Sequence, residues 1–164
     1  MDSSTDKERK MEDVYEKYAD MLYRLAYSMV LSSHDAEDVV HDVYAKYLIK
    51  SPTFRDEEHE KAWFLRVTVN QCHDFAKKQT YRNYTPLEEV IAPAYTKEDL
   101  GLLPAVLSLE DKYKTVLLLH YFEGYSVEEI AFYLKLSLSA VKMRLSRGRE
   151  KLKIQIGKEN LHVS

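Results

Sequence analysis

The sequence predicts an all-α protein built as two small helical domains joined by a linker. Three observations carry that prediction. Only four glycines and four prolines occur in 164 residues, too few for the many turns of a sandwich or barrel. Apolar residues recur at spacings of three and four, which marks amphipathic helices rather than strands. The stretch "QTYRNYTPLEEVIAPAYTKEDLGLLP" holds three of the four prolines, so the helical pattern is interrupted there by a linker. The boundaries read as 10–80 for the first domain, 81–103 for the linker and 104–157 for the second domain.

In the first domain, Val14, Tyr18, Met21, Leu22, Leu25, Ala26 and Met29 form the stripe of one helix. A second helix follows "LSSHD", with Ser33 as its N-cap and Asp35, Glu37 and Asp38 at the end of the dipole that favours anions. It continues through Val39, Val40, Val43, Tyr44, Tyr47 and Leu48 until Pro52 forces a stop. "SPTFRDEEHE" reads as a polar loop, and a third helix runs from about Lys61 to Lys78 with Trp63, Phe64, Val67 and Phe75 among its apolar positions. Inside the linker, Thr85, Pro86 and Glu88 carry the signals of a short helix start.

The second domain starts near Pro104. Ser108 is placed to cap a helix through Tyr121, and Gly124 falls where a left-handed helix end is wanted. Ser126 and Glu129 then form a capping box that opens "SVEEIAFYLKLSLSAVKMRLSRGREKLK". A helix from Val127 to about Leu134, a turn over 135–137 and a second helix from Leu138 have the spacing of a helix-turn-helix. Ile130, Leu134, Leu136 and Val141 would fill the space between the two helices, and the small Ala131 lets them approach. Lys135 occupies the turn position that often takes a positive φ, where a residue other than glycine costs roughly 1–2 kcal/mol. The sequence leaves open whether this turn is left-handed.

The net charge of −3 conceals a banded distribution. Residues 1–60 carry 8 basic and 15 acidic groups, 61–82 carry 5 and 1, 83–134 carry 3 and 9, and 135–164 carry 8 and 2. Two separate basic surfaces in an acidic chain point to two contacts with a polyanion. Ser139, Lys142, Met143, Ser146 and Arg147 fall on the outward side of the last helix, with Arg144 and Arg149 beside them. Donors at that density suit phosphates and the base edges of a major groove. A plain bundle with solvated helices is the competing reading.

Other classes find little support. The single Cys72 excludes an internal disulfide and a thiolate metal cage, and reads as a small core residue. The N-terminus "MDSSTDKERK" lacks an apolar core segment, and no apolar run approaches the roughly 20 residues that span a bilayer. Neither a signal peptide nor membrane insertion is therefore expected, and the expected location is cytoplasmic. Asp38 and His41 form one acid-x-x-His pair on a helix face, but a di-iron bundle needs two such pairs and two more carboxylates. No metal site, cofactor or catalytic constellation is expected.

Over about 11–156, the chain resembles a bacterial sigma factor of the sigma-70 superfamily, specifically the small extracytoplasmic-function (ECF) group built from regions 2 and 4 alone. "DAEDVVHDVYAKYL" is similar to region 2.2, "KAWFLRVTVNQCHDFAKK" to regions 2.3 and 2.4, and "LEDKYKTVLLLHYFEGYSVEEIAFYLKLSLSAVKMRLSRGREKLK" to region 4. The resemblance implies a transcription initiation factor, typically serving a stress response, that binds core RNA polymerase and directs it to promoters with minus 10 and minus 35 elements. It implies that Asp35, Glu37, Asp38, Asp42 and Tyr44 meet the clamp helices of polymerase. An acidic helix would repel DNA and suits a basic protein surface, which agrees.

By the same resemblance, Arg66, Asn70, Gln71, Asp74, Lys77 and Lys78 bind and open the minus 10 element, with the loop Thr53 to His59 as the wall of a base pocket. Trp63 is either core or a stacking platform. Ser139, Lys142, Met143, Arg144, Ser146, Arg147 and Arg149 map onto the helix that reads minus 35, while Lys151 and Lys153 meet phosphate or the polymerase flap. Val116, Leu117 and Leu119 are either a flap-docking surface or core. An anti-sigma factor is implied as a further partner. The alternative is an autonomous helix-turn-helix regulator binding a palindrome as a dimer, which leaves the first three helices without a task.

Overall fold

The computed structural model describes residues 3–78 and 97–162, and the side chains of 9–75 and 102–157. Every regular element among them is helical: α1 (Ser3–Val30), α2 (Ser33–Lys50), α3 (Glu57–Lys78), α4 (Lys97–Leu107), α5 (Asp111–Leu117), a π-helical turn (Leu118–Phe122), α6 (Val127–Leu134) and α7 (Leu138–His162). The chain divides into two compact units, 1–83 and 84–164. The short helix anticipated at Thr85 to Glu88 lies outside the described residues.

In the first unit α1, α2 and α3 pack against one another. Val14, Tyr18, Leu22, Leu25, Ala26 and Met29 are all buried, so the stripe on α1 is the core face it looks like in sequence. Phe64 of α3 lies at the centre, fully buried, with Tyr18 stacked on it at 5.0 Å and the rings of Tyr44 and Tyr47 each 5.4 Å away. The hydroxyls of Tyr18 and Tyr44 find partners at the rim, because a buried hydroxyl without one would cost about 1–3 kcal/mol of what the ring gains. Tyr18 donates to Glu60 Oε1 at 2.8 Å and Tyr44 donates to the Val14 carbonyl at 3.2 Å. An ion pair of 2.8 Å between Lys17 and Glu57 adds a second link from α1 to α3.

Four helix starts differ from the sequence expectation. The cap of α2 is Ser32 rather than Ser33: the Asp35 N–H donates to Ser32 Oγ, after Leu31 has turned the chain with a φ of 57°. Helix α3 begins a full turn before Lys61. Asp56 accepts the His59 N–H at 2.9 Å, and Glu57, Glu58 and Glu60 occupy the first turn, where carboxylates are favoured by the helix dipole. Helix α4 begins at Lys97, inside the stretch expected to be linker, and holds Pro104 within it. Ser108 follows the end of that helix, donating to the Ala105 carbonyl at 2.6 Å, and the next helix starts after Glu110, whose side chain makes no capping bond.

In the second unit α5 packs on α7 at unusually close range. A Cβ added to Gly148 would stand 3.0 Å from Leu117 Cδ1 and 3.4 Å from Tyr113 Cβ, so glycine sets how near the two helices come. Val116 and Leu119 are buried in the core, and Leu117, also buried, forms part of the wall of a surface hollow. Lys114 is buried as well, with Nζ 3.4 Å from the Leu107 carbonyl at the negative end of α4 and 3.5 Å from Asp111.

Candidate nucleic-acid interface

The second basic segment is held by a helix-turn-helix. Ser126 Oγ accepts the Glu129 N–H at 3.1 Å while Glu129 Oε1 accepts the Ser126 N–H at 3.0 Å, completing the capping box read from the sequence. At the other end of α6, Lys135 takes φ 55° and ψ 46°, and the Leu136 N–H bonds to the Ala131 carbonyl at 3.0 Å. The turn is therefore left-handed, closed by the six-to-one bond of a Schellman motif. Ile130, Tyr133, Val141 and Leu145 are buried between the helices, whereas Leu134 and Leu136 are half-buried. Tyr133 was not anticipated; its ring meets Tyr125 edge-on at 5.1 Å and its hydroxyl donates to Glu129 Oε2 at 3.2 Å.

With Val141, Leu145 and Gly148 turned inward, α7 presents Ser139, Lys142, Met143, Ser146, Arg147 and Arg149 to solvent and Arg144 half-exposed. All seven residues expected on this surface are brought onto one helix. They are not equivalent. Arg149 donates from Nη1 to the Tyr121 hydroxyl at 2.7 Å, which holds it at the edge facing the π-helical turn. Lys151 reaches back to Glu110 at 3.8 Å and lies 5.3 Å from the Tyr113 ring, away from that surface.

On α3, Asn70 and Asp74 are exposed and Arg66 is half-buried, its guanidinium pKa lowered by loss of hydration. Lys77 and Lys78 belong to the last turn of α3, but their side chains lie outside those described. Gln71 is placed differently from the rest. Its amide donates to Asp42 at 3.1 Å and accepts from Lys46, tying α3 to α2. The residue expected on DNA and one expected on polymerase thus bond to each other.

Trp63 is half-buried, with Phe64 edge-on at 5.0 Å and with Tyr47 and Phe54 each at 6.1 Å. It is neither a sealed core residue nor an open platform. The loop before α3 borders a surface pocket of about 450 Å³ lined by Tyr47, Thr53, Phe54, Asp56, Glu57 and Lys17, among others.

On α2, Glu37, Asp38 and Asp42 are exposed and Asp35 is half-exposed, but Tyr44 is 4% exposed and packed against α1 and α3. Two residues after Asp42, a helix has turned by about 200°, so Tyr44 faces the core and drops out of the candidate surface. The outward side carries instead Leu48, 56% exposed, and Ile49, 84% exposed. Leu48, apolar in sequence like the core positions of the helix, is thus on its solvent side. The signal for both was available: at 100° per residue Ile49 lies in line with Asp38, Asp42 and Ala45, and Leu48 lies beside Glu37, both outside the line of Val39, Val40 and Val43.

Comparison with known proteins decides the family. The model for Sigma-70 region 2 matches residues 14–82, and that for Sigma-70, region 4 matches residues 101–152. RNA polymerase sigma factor SigV of Bacillus subtilis (strain 168) is 35% identical over 143 residues, covering 85% of this chain and 86% of the relative. The chain belongs to the sigma-70 family, ECF group. This sigma factor is a transcription initiation factor that directs RNA polymerase to promoters. It is also 27% identical over 163 residues to ECF RNA polymerase sigma factor SigW of the same organism, covering 88% of this chain and 87% of that one. Two solved structures share its fold. CnrH, in complex with the cytosolic domain of CnrY, aligns with a TM-score of 0.70 at 22% identity over 92% of this chain and 90% of that chain. The sigma factor RpoE from Bartonella quintana, in complex with the anti-sigma factor NepR, aligns with a TM-score of 0.71 at 19% identity over 91% and 98%. Among the described residues, no helix of this sigma factor is long and apolar enough to cross a membrane.

Proposed function

We infer that this sigma factor docks on core polymerase through the outward face of α2, engages the minus 10 element with α3 and its preceding loop, and reads the minus 35 element with α7. The observation that carries the assignment is the segregation of chemistry by face. The face of α2 runs from Glu37, Asp38 and Asp42 to Ala45, Leu48 and Ile49, acidic at one end and apolar at the other. Such a face would repel phosphates and fits a protein surface that is basic and then apolar. The outward face of α7 has the opposite sign. Arg66, Asn70 and Asp74, beside Trp63 and the Thr53–Phe54 wall, are the proposed minus 10 contacts, with Lys77 and Lys78 continuing the same helix. Gln71 serves the joint between α2 and α3.

For the polymerase flap, the exposed apolar surface on the second unit is not Val116 or Leu119. It is a hollow of about 340 Å³ bordered by Leu102, Val106, Tyr121, Phe122, Leu152 and Ile156. The protein acts without catalysing a step of its own, in the cytoplasm where polymerase works. The RpoE relative was solved with an anti-sigma factor, and a partner of that kind is proposed here too.

Transcription from a cognate promoter by purified protein and core polymerase tests the whole reading. Tight duplex binding by the protein alone as a dimer, with no promoter-specific start in the presence of core, would establish an autonomous regulator instead. Changing Leu48 and Ile49 to Lys should weaken core binding at least tenfold while leaving the thermal unfolding of the free protein nearly unchanged, since both side chains are exposed and cations suit the C-terminal turn of α2. Replacing Arg144 and Arg147 with Ala should abolish dependence on the minus 35 element and spare core binding.

A further inference from the structure

On the reading that α7 enters the minus 35 element, we propose that Met143 specifies one base pair there by contacting the methyl group of a thymine, while the cations of α7 grip the backbone on either side. The geometry of the helix separates these tasks. Val141, Leu145 and Gly148 point into the unit. At 100° per residue, the line opposite them passes through Ser139 and Met143 and, two turns further, Glu150. Lys142 and Arg149 lie together on one flank and Arg144 on the other. Arg147 is the cation nearest the central line.

Four observations support this division. Arg149 is fixed by its 2.7 Å bond to Tyr121 on the flank, where its remaining donors suit a phosphate and not a base. Lys151 is turned back to Glu110 and Tyr113. Glu150 would repel phosphates, so close approach to the duplex is confined to the first turns of α7, which is where a recognition helix touches base edges. Within those turns, Met143 is the long side chain on the central line, and it is 46% exposed. An unbranched apolar chain projecting from the middle of a polar, cationic face leaves its burial free energy uncollected until something covers it. In a major groove, the apolar feature that distinguishes one base pair from another is the C5-methyl of thymine.

The test uses the full-length protein assembled with core polymerase. On a promoter library randomised through the minus 35 element, the wild-type holoenzyme should enrich a thymine at one position, and Met143→Ala should lower that preference about fourfold, the factor supplied by burying roughly one methylene-sized group. Replacing the selected thymine with uracil should cost the wild type the same factor and cost Met143→Ala nothing. Lys142→Ala should instead weaken all sequences alike and reduce the slope of log affinity against log salt by about 1. Unchanged base selection by Met143→Ala, or an equal uracil penalty in both proteins, overturns the proposal while leaving α7 as the reader. A wild-type holoenzyme indifferent to every minus 35 base overturns the reading and the proposal together.

Discussion

Lys135 shows how far a single position can be read. Its place in the turn was legible from the capping box upstream and the basic helix downstream, but the sign of its φ was not. A lysine does not dictate a left-handed backbone; the bonds from Leu136 and Lys135 back to α6 impose it. Because glycine reaches that region without the steric cost of a Cβ, Lys135→Gly should stabilise the second unit by about 1 kcal/mol. Denaturant unfolding followed in that unit would show it, and a loss of stability would contradict the turn geometry. Tyr44 failed for the complementary reason. The family resemblance put it on the surface of Asp42, whereas its place in the apolar stripe with Val40 and Val43 sends it to the core, where burial raises its pKa. Losing its hydroxyl should cost about 1 kcal/mol in Tyr44→Phe, through the bond to Val14.

Helix starts were legible where a side chain announces them and misread where two candidates compete. Ser126 with Glu129 was unambiguous. Asp56 was overlooked because seven of the eight residues from Phe54 to Lys61 are charged or imidazole-bearing and carry no apolar period; yet an acidic first turn is itself a helix signal. That turn is also where α3 meets α1. Glu57 has its pKa lowered by a hydrogen bond from Lys17 and by the lysine's charge. Its contribution is present above the unfolded carboxylate pKa and is lost as pH falls through the folded one. Glu57→Gln should remove that part of the acid sensitivity, a small part because the pair is exposed. The α5–α7 contact gave no sequence signal beyond a glycine in a helical stretch. Filling it with Gly148→Leu should destabilise the second unit by about 1–3 kcal/mol, as overpacking of Leu117 and Tyr113, measured by the same unfolding experiment.

At the scale of the molecule, the banding of charge along the chain was the most informative feature of the sequence. Two acidic bands alternate with two basic ones, and the division between the compact units leaves one acidic and one basic band in each. What banding could not supply was the direction each charge faces. That depends on which residues are already engaged within the protein: Gln71 with Asp42 and Lys46, Lys151 with Glu110, Lys114 with a helix end.

The π-helical turn at Leu118–Phe122 has a consequence of a different kind. Its backbone bonds skip one residue more than an α-helix allows, as in Glu123 N–H to Leu118 carbonyl at 3.0 Å. The segment between α5 and α6 therefore carries one surplus residue, taken up without opening the chain. Here the unit could shed one residue and fall back to ordinary helix, at the expense of rotating Tyr121 away from Arg149. Length and grip are coupled at this point: a one-residue deletion tolerated by the fold would release the arginine that lies on the flank of α7.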